Sequence, residues 1–313
     1  MSVLITGITG FVGSHLAKKL VDLDFDVVGI VRDLKPKTVL SYYGYDKKVT
    51  LIRGDVTDIE LLTRIYADYD IEFVLHLAAE AIVGKAKKSP ISTFRTNIIG
   101  TASVLEACRI NGSVKCIVAS TDKVYGYQPE RLPYDEKTPL RPINIYDASK
   151  ASADMIAQVY SKIYNTPVVI TRCCNIYGFD LNMSRLIPTV IVSALRNERP
   201  VIRSDGTQVR EYIYVEDVVN AYLTIMKKFD SLDGKAVNIG SGYIYSVLDA
   251  VKIILDLMHK NLEPIVLGEA KDEIKEQYLD STHFKMLTNW KPRFSFEDGL
   301  KITIEEYKKY LGV

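Results

Sequence analysis

Neither cysteine nor histidine is plentiful in this 313-residue sequence, with four of each. Cys108, Cys116, Cys173 and Cys174 stand at no metal-ligand spacing from a histidine, and the adjacent pair Cys173-Cys174 falls in a strand-like run. This excludes a recognisable zinc site and a disulfide framework, and predicts buried thiols in a reducing compartment. An excess of one charge is missing too: 40 lysines and arginines face 39 aspartates and glutamates, for a formal net charge of +1. No global field therefore draws the chain to nucleic acid or to an anionic membrane, although a local anion site is compatible with it. Long apolar runs are absent. Val3-Leu4-Ile5 is too short for a leader and is broken by Gly7 and Gly10, and no stretch approaches the ~18 apolar residues of a membrane span. The expectation is a cytoplasmic protein that holds no metal and meets neither nucleic acid nor membrane.

What the sequence does have is apolar content, 47% beside 25% charged residues, the profile of a globular chain with a large core. Runs rich in β-branched residues at 3–6, 27–31, 49–53, 73–77, 116–120 and 168–172 alternate with amphipathic stretches at 14–23, 59–67, 92–110 and 148–164. Alternation of this kind predicts an α/β fold with a doubly wound parallel sheet of Rossmann type, covered on both faces and joined by right-handed crossovers. After Asn175 the alternation weakens. Helical runs at 186–197, 218–227, 247–258 and 297–310 are separated by loops and by isolated strands such as 237–239. The expected division is a Rossmann domain over 1–175, with segments near 210–240 returning to it, and a smaller C-terminal lobe made mainly of 176–313. No Ser/Gly-rich linker separates the two, so an extensive shared interface is expected. No internal repeat or low-complexity tract is present.

Gly7-Ile8-Thr9-Gly10-Phe11-Val12-Gly13 follows the first strand and opens the first helix. Glycines there permit a tight turn and close backbone approach, and the helix N-terminus offers free N–H groups to a pyrophosphate. Gly7, Thr9, Gly10, Phe11, Val12 and Gly13 are therefore candidate dinucleotide contacts. Further along, Tyr146-Asp147-Ala148-Ser149-Lys150 opens a long helical pattern. Residues i and i+4 share a helix face, so phenol and ammonium can serve one site. A tyrosine with a reference pKa of about 10 is a poor base at neutral pH. A nearby lysine and a positive nicotinamide ring favour the phenolate.

The GxxGxxG spacing and the YxxxK string, taken with the chain length, resemble the extended branch of the short-chain dehydrogenase/reductase superfamily, and in particular its NAD(P)-dependent nucleotide-sugar epimerases and dehydratases. The resemblance runs from Gly7 to the C-terminal helices. It implies cofactor contacts at Asp55 and Val56 in the adenine loop, at Leu77, Ala78 and Ala79 after the fourth strand, and at Tyr146 and Lys150. It also implies that Asn97 supports the lysine through water, and that the Thr121 hydroxyl shares a sugar hydroxyl with Tyr146. At the end of the second strand an acidic residue favours NAD; here Val31 occupies that position and Arg32 follows it. Arg32 resembles the arginine of GDP-mannose dehydratases and suits a 2′-phosphate, whereas Asp33 argues for NAD. NADP is the preferred expectation and NAD the alternative, tightly bound in either case. Asn175, Arg185, Leu186 and Arg210 fall in motifs similar to those that hold the substrate's nucleotide and phosphates. A forked guanidinium at position 210 suits phosphate, and Glu211 stands where the family usually has aspartate.

Asp122-Lys123 sets this chain apart from simple sugar epimerases and resembles the acid–base pair of CDP-glucose and some UDP-N-acetylglucosamine 4,6-dehydratases. Dehydration needs such a pair, because oxidation at sugar C4 acidifies the C5 proton while the C6 hydroxyl departs. The alternative is an ordinary surface ion pair. The expected catalytic set is Thr121, Asp122, Lys123, Tyr146 and Lys150, and the expected activity is 4,6-dehydration of a nucleotide sugar. The alternatives are 4-epimerisation, net oxidation or reduction at C4, and, outside enzymes, a cofactor-sensing regulator. The resemblance also implies a homodimer or higher homo-oligomer through the helices near 92–110 and 148–164. The basic run Lys85-Ala86-Lys87-Lys88 is expected at a solvated loop edge, and most tyrosines as packing residues.

Overall fold

The computed structural model describes residues 1–33, 37–112, 114–269 and 274–313. Its first six strands are β1 (Ser2–Thr6), β2 (Asp26–Val31), β3 (Thr50–Arg53), β4 (Ile71–His76), β5 (Lys115–Ala119) and β6 (Val168–Cys173). The later ones, most of them shorter, are β7 (Asn175–Tyr177), β8 (Val201–Ile202), β9 (Val209–Tyr214), β10 (Ala236–Ile239), β11 (Ile244–Ser246), β12 (Ile265–Val266) and β13 (Glu276–Gln277). The longer helices are α1 (Phe11–Val21), α2 (Ile59–Asp68), α3 (Gly100–Asn111), α4 (Ile145–Tyr164), α5 (Leu186–Leu195), α6 (Val215–Lys227), α7 (Val247–Leu257) and α8 (Phe296–Leu311).

A seven-stranded sheet, all parallel, runs in the order β10-β6-β5-β4-β1-β2-β3. This is the Rossmann-type doubly wound sheet that the alternation predicted, with β10 added beyond β6. Its central strands are buried along almost their whole length because helices cover both faces, which is why they read as continuous apolar runs. One core packs β1, α1 and α6 around Leu16, Leu20, Val218 and Ile225. On the opposite face Leu62, Ile65, Val104, Leu105 and Ala157 bring α2, α3 and α4 together.

β9 forms a small mixed sheet with β7, β11 and β13. The core beneath it includes the aromatic residues Tyr177, Phe179, Tyr212, Tyr214, Phe296 and Tyr307, packed with the aliphatic faces of α5, α7 and α8. Several tyrosines are thus packing residues. β8 and β12 form a separate parallel pair.

Helix boundaries follow local chemistry. Asp58 caps α2 by accepting from Leu61 N at 3.0 Å, and Asn144 caps α4 by accepting from Asp147 N at 3.0 Å. α4 ends where Asn165 turns left-handed. Two expectations need correction. The single helix expected over 92–110 is broken: a short helix (Pro90–Phe94) leads into a π-helical turn (Arg95–Ile99) before α3 begins. The wider turn lodges the side chain of Asn97 in the interior, at 1% exposure. The run Lys85–Lys88 belongs to a helix (Val83–Lys88), not a loop; Ala86 packs inward and the three lysines face solvent.

All four cysteines are free and buried, as their scarcity predicted. Among the described residues no cluster of His, Cys, Asp and Glu suits a metal ion, and no helix is long and apolar enough to cross a membrane.

Candidate functional site

The strand order reverses between β1 and β4, and the glycine turn lies at the carboxyl edge of that crevice. Gly7 has φ +74°, and a Cβ on it would stand 2.8 Å from the backbone nitrogen of Ala78. A Cβ on Gly13 would collide with the carbonyl oxygen of Gly7. Gly10 N donates to Gly7 O at 2.9 Å, Ser14 N donates to Gly10 O at 3.0 Å, and no side chain caps α1. Thr9 and Gly10 face the crevice rim, while Phe11 and Gly13 are buried and Val12 is half-buried.

The neighbouring loops are tied to this turn. Leu77 N donates to Thr6 O at 3.2 Å and Ala78 N to Thr6 Oγ1 at 3.1 Å. Ala79 follows, half-buried, and Glu80 N donates to Asn97 Oδ1 at 2.8 Å. Because the Thr101 hydroxyl donates to Asn97 O at 2.7 Å, it accepts from His76 Nε2 at 2.9 Å. Nδ1 of the neutral ring is then the acceptor and takes the Thr6 hydroxyl proton at 2.8 Å. Burial and the Lys150 charge hold this neutral imidazole at about 3. Beyond β3, Asp55 accepts from Thr57 N and Oγ1, and Val56 packs against Gly100. At the end of β2, Val31 is buried, and the exposed Arg32 donates to Asp33 Oδ2 at 2.9 Å.

An open helix terminus beside two glycines that no larger residue can replace suits a dinucleotide pyrophosphate. The buried Ser120 hydroxyl at the end of β5, which has no hydrogen-bond partner in the protein, adds an unsatisfied polar atom nearby. The residues present fit a nicotinamide dinucleotide.

A second group of side chains gathers where β5 ends. Thr121 caps a tight turn (Asp122–Tyr125) by accepting from Lys123 N at 3.3 Å. Its hydroxyl donates to Asp122 Oδ1 at 3.0 Å. Asp122 is 1% exposed, and Lys123 Nζ lies 3.3 Å from its Oδ2. Lys123 also reaches Gln277 Oε1 at 2.7 Å and Asn175 Oδ1 at 3.5 Å.

Tyr146, in the first turn of α4, is pushed up to about 12 by burial; the charge of Arg185 and a hydrogen bond with Thr121 oppose the shift, and Asp122 and Asp147 add to it. The Lys150 ammonium donates to the carbonyl of Ala119 at the end of β5, and burial brings it down to about 8. Arg185 thus favours the phenolate, and the Lys150 ammonium is held at the carboxyl end of β5. Within the protein, Asn97 Nδ2 donates to Ser149 Oγ at 2.8 Å, and Ser149 donates to Tyr146 O at 2.7 Å.

Arg185 lies with its guanidinium 5.4 Å above the Phe11 ring and 4.0 Å from Asp180 Oδ2, at the start of α5 just before the half-buried Leu186. Asn175 Nδ2 donates to Glu211 O at 3.1 Å. Arg210 Nη1 donates to the carbonyls of Val209 and Lys275 at 2.9 and 3.3 Å. Glu211 itself is buried, accepting from Gly242 N and Leu279 N at 2.7 and 2.9 Å.

The structure therefore brings Thr121, Asp122, Lys123, Tyr146, Lys150, Asn175 and Arg185 into one cluster. Arg32 and Asp55 lie apart from it, at the carboxyl ends of β2 and β3. Two members escaped the sequence reading. Asp147 has 0% exposure, one oxygen accepting from Asn144 Nδ2 at 2.8 Å and the other with no partner. Burial raises it to about 6 against the opposing charge of Lys123. Gln277 stands 154 residues from Lys123, and nothing in its local sequence marks it.

The model of the NAD dependent epimerase/dehydratase family matches residues 3–240. The low-salt glycan biosynthesis protein Agl12 of Haloferax volcanii is 33% identical over 98% of this chain and 98% of its own. The crystal structure of a UDP-glucose 4-epimerase from Thermotoga maritima, solved with UDP-glucose, superposes with a TM-score of 0.92 at 31% identity, covering 99% of this chain and 100% of that one. A dTDP-glucose 4,6-dehydratase from Bacillus anthracis in complex with NAD has a TM-score of 0.88 at 28% identity, covering 99% and 97%.

Proposed function

The chain belongs to the NAD dependent epimerase/dehydratase family, and from that premise we propose that it is a nucleotide-sugar 4,6-dehydratase working through a transient 4-keto sugar. The observation that carries this reading is the pair Asp122 and Lys123, a buried carboxyl and an amine 3.3 Å apart in the turn that also presents Thr121 to Tyr146. When bound, an oxidised nicotinamide supplies the carbon that takes a hydride from sugar C4 and later returns it, with its positive charge beside the phenol. Tyr146 takes the C4 hydroxyl proton, and the Thr121 hydroxyl hydrogen-bonds the same oxygen. With C4 a carbonyl, Lys123 passes its proton to the Asp122 carboxylate 3.3 Å away, and the free amine removes the acidified C5 proton while Asp122 protonates the departing C6 oxygen. The C5–H and C6–O bonds break, a C5–C6 double bond forms and water leaves; the hydride then returns to C6 and a solvent proton adds at C5, giving a 4-keto-6-deoxy sugar.

Residues 176–313, mainly, are proposed to hold the sugar nucleotide, with Asn175, Arg185, Leu186 and Arg210 toward its phosphates and base. Arg185 brings its charge to the Tyr146 end of that surface. The preference for NADP finds no support: Arg32 is engaged by Asp33, and the dehydratase relative binds NAD, so NAD is the cofactor proposed. A homodimer is proposed through α3 and α4, whose outer faces expose Ile110, Met155, Val159 and Ile163.

Incubation with UDP-, dTDP-, CDP- and GDP-linked hexoses in deuterated water, followed by mass spectrometry, tests the reaction. A product lacking one water and carrying deuterium at C5 is expected. Lys123→Met should lower its formation by about 10²-fold or more. The likeness to the UDP-glucose 4-epimerase favours a second reading, 4-epimerisation; an isomer of unchanged mass as the sole product would establish it. Retained cofactor with no turnover of any sugar would point to a regulator.

A further inference from the structure

Lys123 takes its shortest contact from an unexpected quarter. The neighbouring Asp122 carboxylate lies 3.3 and 3.4 Å from Nζ, whereas Gln277 Oε1 accepts from it at 2.7 Å. Gln277 has 0% exposure and sits on β13, which pairs with β9 and is followed by Leu279, whose N–H donates to the buried Glu211 carboxylate. Its orientation is determined. Only the amide nitrogen can donate to a carbonyl, and Nε2 does so to Asp122 O at 2.9 Å, so the amide oxygen is the end that meets the amine. One side chain therefore grips both residues of the acid–base pair, Asp122 by its backbone and Lys123 by its head group.

The chemistry of that grip is selective. Among the described residues, the charged groups shown acting on Lys123 are Asp122 from its own turn and Asp147 from α4; the contacts from β7 and β13, Asn175 and Gln277, are neutral. A neutral acceptor fixes the amine in space without adding a third negative charge around it. A carboxylate in the same place would hold the ammonium more strongly and oppose loss of its proton.

We propose that Gln277 is a positioning residue for the elimination step, aiming the Lys123 amine while leaving it free to give up its proton. The inference rests on the reading of Lys123 as the base. Were Gln277 merely a tie between β13 and the turn, its replacement would alter stability and substrate affinity together and leave the protonation of Lys123 unmoved.

The purified holoenzyme is compared with the isosteric Gln277→Glu and the neutral Gln277→Met. Each is measured as kcat and KM across pH, and by NMR of 13Cε-labelled lysine, with Lys123→Met identifying the resonance. In Gln277→Glu, kcat for dehydration should fall about tenfold or more at neutral pH with KM nearly unchanged, and the rising limb of the kcat profile should move up by about one pH unit. The Lys123 resonance should titrate at correspondingly higher pH. Gln277→Met should lower kcat without that upward move. Unchanged titration of Lys123 in Gln277→Glu, or a loss confined to KM, overturns the proposal. Failure of the wild type to dehydrate any nucleotide sugar instead overturns the functional reading, and the lysine titration still decides the role of Gln277.

Discussion

The glycine turn after β1 and the acid–base cluster after β5 lie at the same edge of one sheet but are built on opposite principles. The turn works through its backbone: Gly7, Gly10 and Gly13 are there for what they lack, and their contacts are to main-chain atoms of Ala78 and of each other. The cluster works through side chains from the turn after β5, from α4, β7, the start of α5 and β13, several of them buried at a cost. A region of the first kind tolerates almost no added atom and leaves the first N–H groups of α1 uncapped by any side chain. A region of the second kind carries an unpartnered carboxylate oxygen and a raised phenol, the state expected where stability is given up for reactivity.

The largest effect should come from the cluster. Tyr146→Phe removes the hydroxyl that Thr121 and Arg185 act on, with little change in volume. We expect kcat to drop by about 10²–10⁴-fold, or about 3–5 kcal/mol, with cofactor content and thermal midpoint preserved. Parallel loss of bound dinucleotide in the purified variant would erase the contrast between the two regions.

The turn should respond in the other sense. Gly7→Ala puts a Cβ at φ +74° and 2.8 Å from Ala78 N, against backbone that Thr6 and His76 hold in place. A cost of about 1–3 kcal/mol is expected, together with poor retention of dinucleotide, seen by denaturant titration and by the nucleotide released on unfolding. A variant that keeps its cofactor and loses only turnover would show that the turn takes part in chemistry.

How far each region was legible follows from the same difference. The strand, the glycines and the helix of the turn are contiguous, so spacing alone locates them, and Asp122-Lys123 and Tyr146…Lys150 are likewise local strings. What escaped was set by distance or by backbone geometry. Gln277 reaches the cluster only because β13 pairs with β9. The π turn at Asn97 adds one residue to a helix without changing its composition. The contact of the Lys150 ammonium with Ala119 O joins residues 31 apart, which the i, i+4 spacing to Tyr146 does not reveal. Arg185 was read as a contact to the nucleotide, and the packing of its guanidinium on Phe11 sets it near the phenol as well.

A smaller effect, opposite in sign to the first two, is expected at Asp147. Its folded value of about 6 exceeds the ordinary 3.8, so the folded state takes up the proton more readily than the unfolded one. The charged carboxylate therefore costs stability above pH 6, and the cost is relieved as pH falls from 6 toward 4. Asp147→Asn keeps a side chain that can still accept from Asn144, and should stabilise the protein at pH 7.5 by about 1–2 kcal/mol, with the gain shrinking at pH 5. Equal denaturation midpoints for wild type and variant at pH 7.5 would mean that this carboxylate is no burden, and that the cluster is as relaxed as the turn.

The smallest effect is expected at the rim of the turn region. Arg32 is exposed and paired with Asp33 at 2.9 Å, and exposed pairs of this kind are worth about 0–1 kcal/mol. If the arginine does not read the adenine ribose, Arg32→Ala should change the affinity for NADH by less than about threefold, and NADPH should bind more weakly than NADH both before and after the substitution. Fluorescence titration of the two reduced cofactors settles it. NADPH binding that exceeds NADH in the wild type and collapses in Arg32→Ala would mean that a side chain, and not only backbone, selects the ligand on this side of the crevice. The division between a backbone-built turn and a side-chain-built cluster would then hold for the pyrophosphate alone.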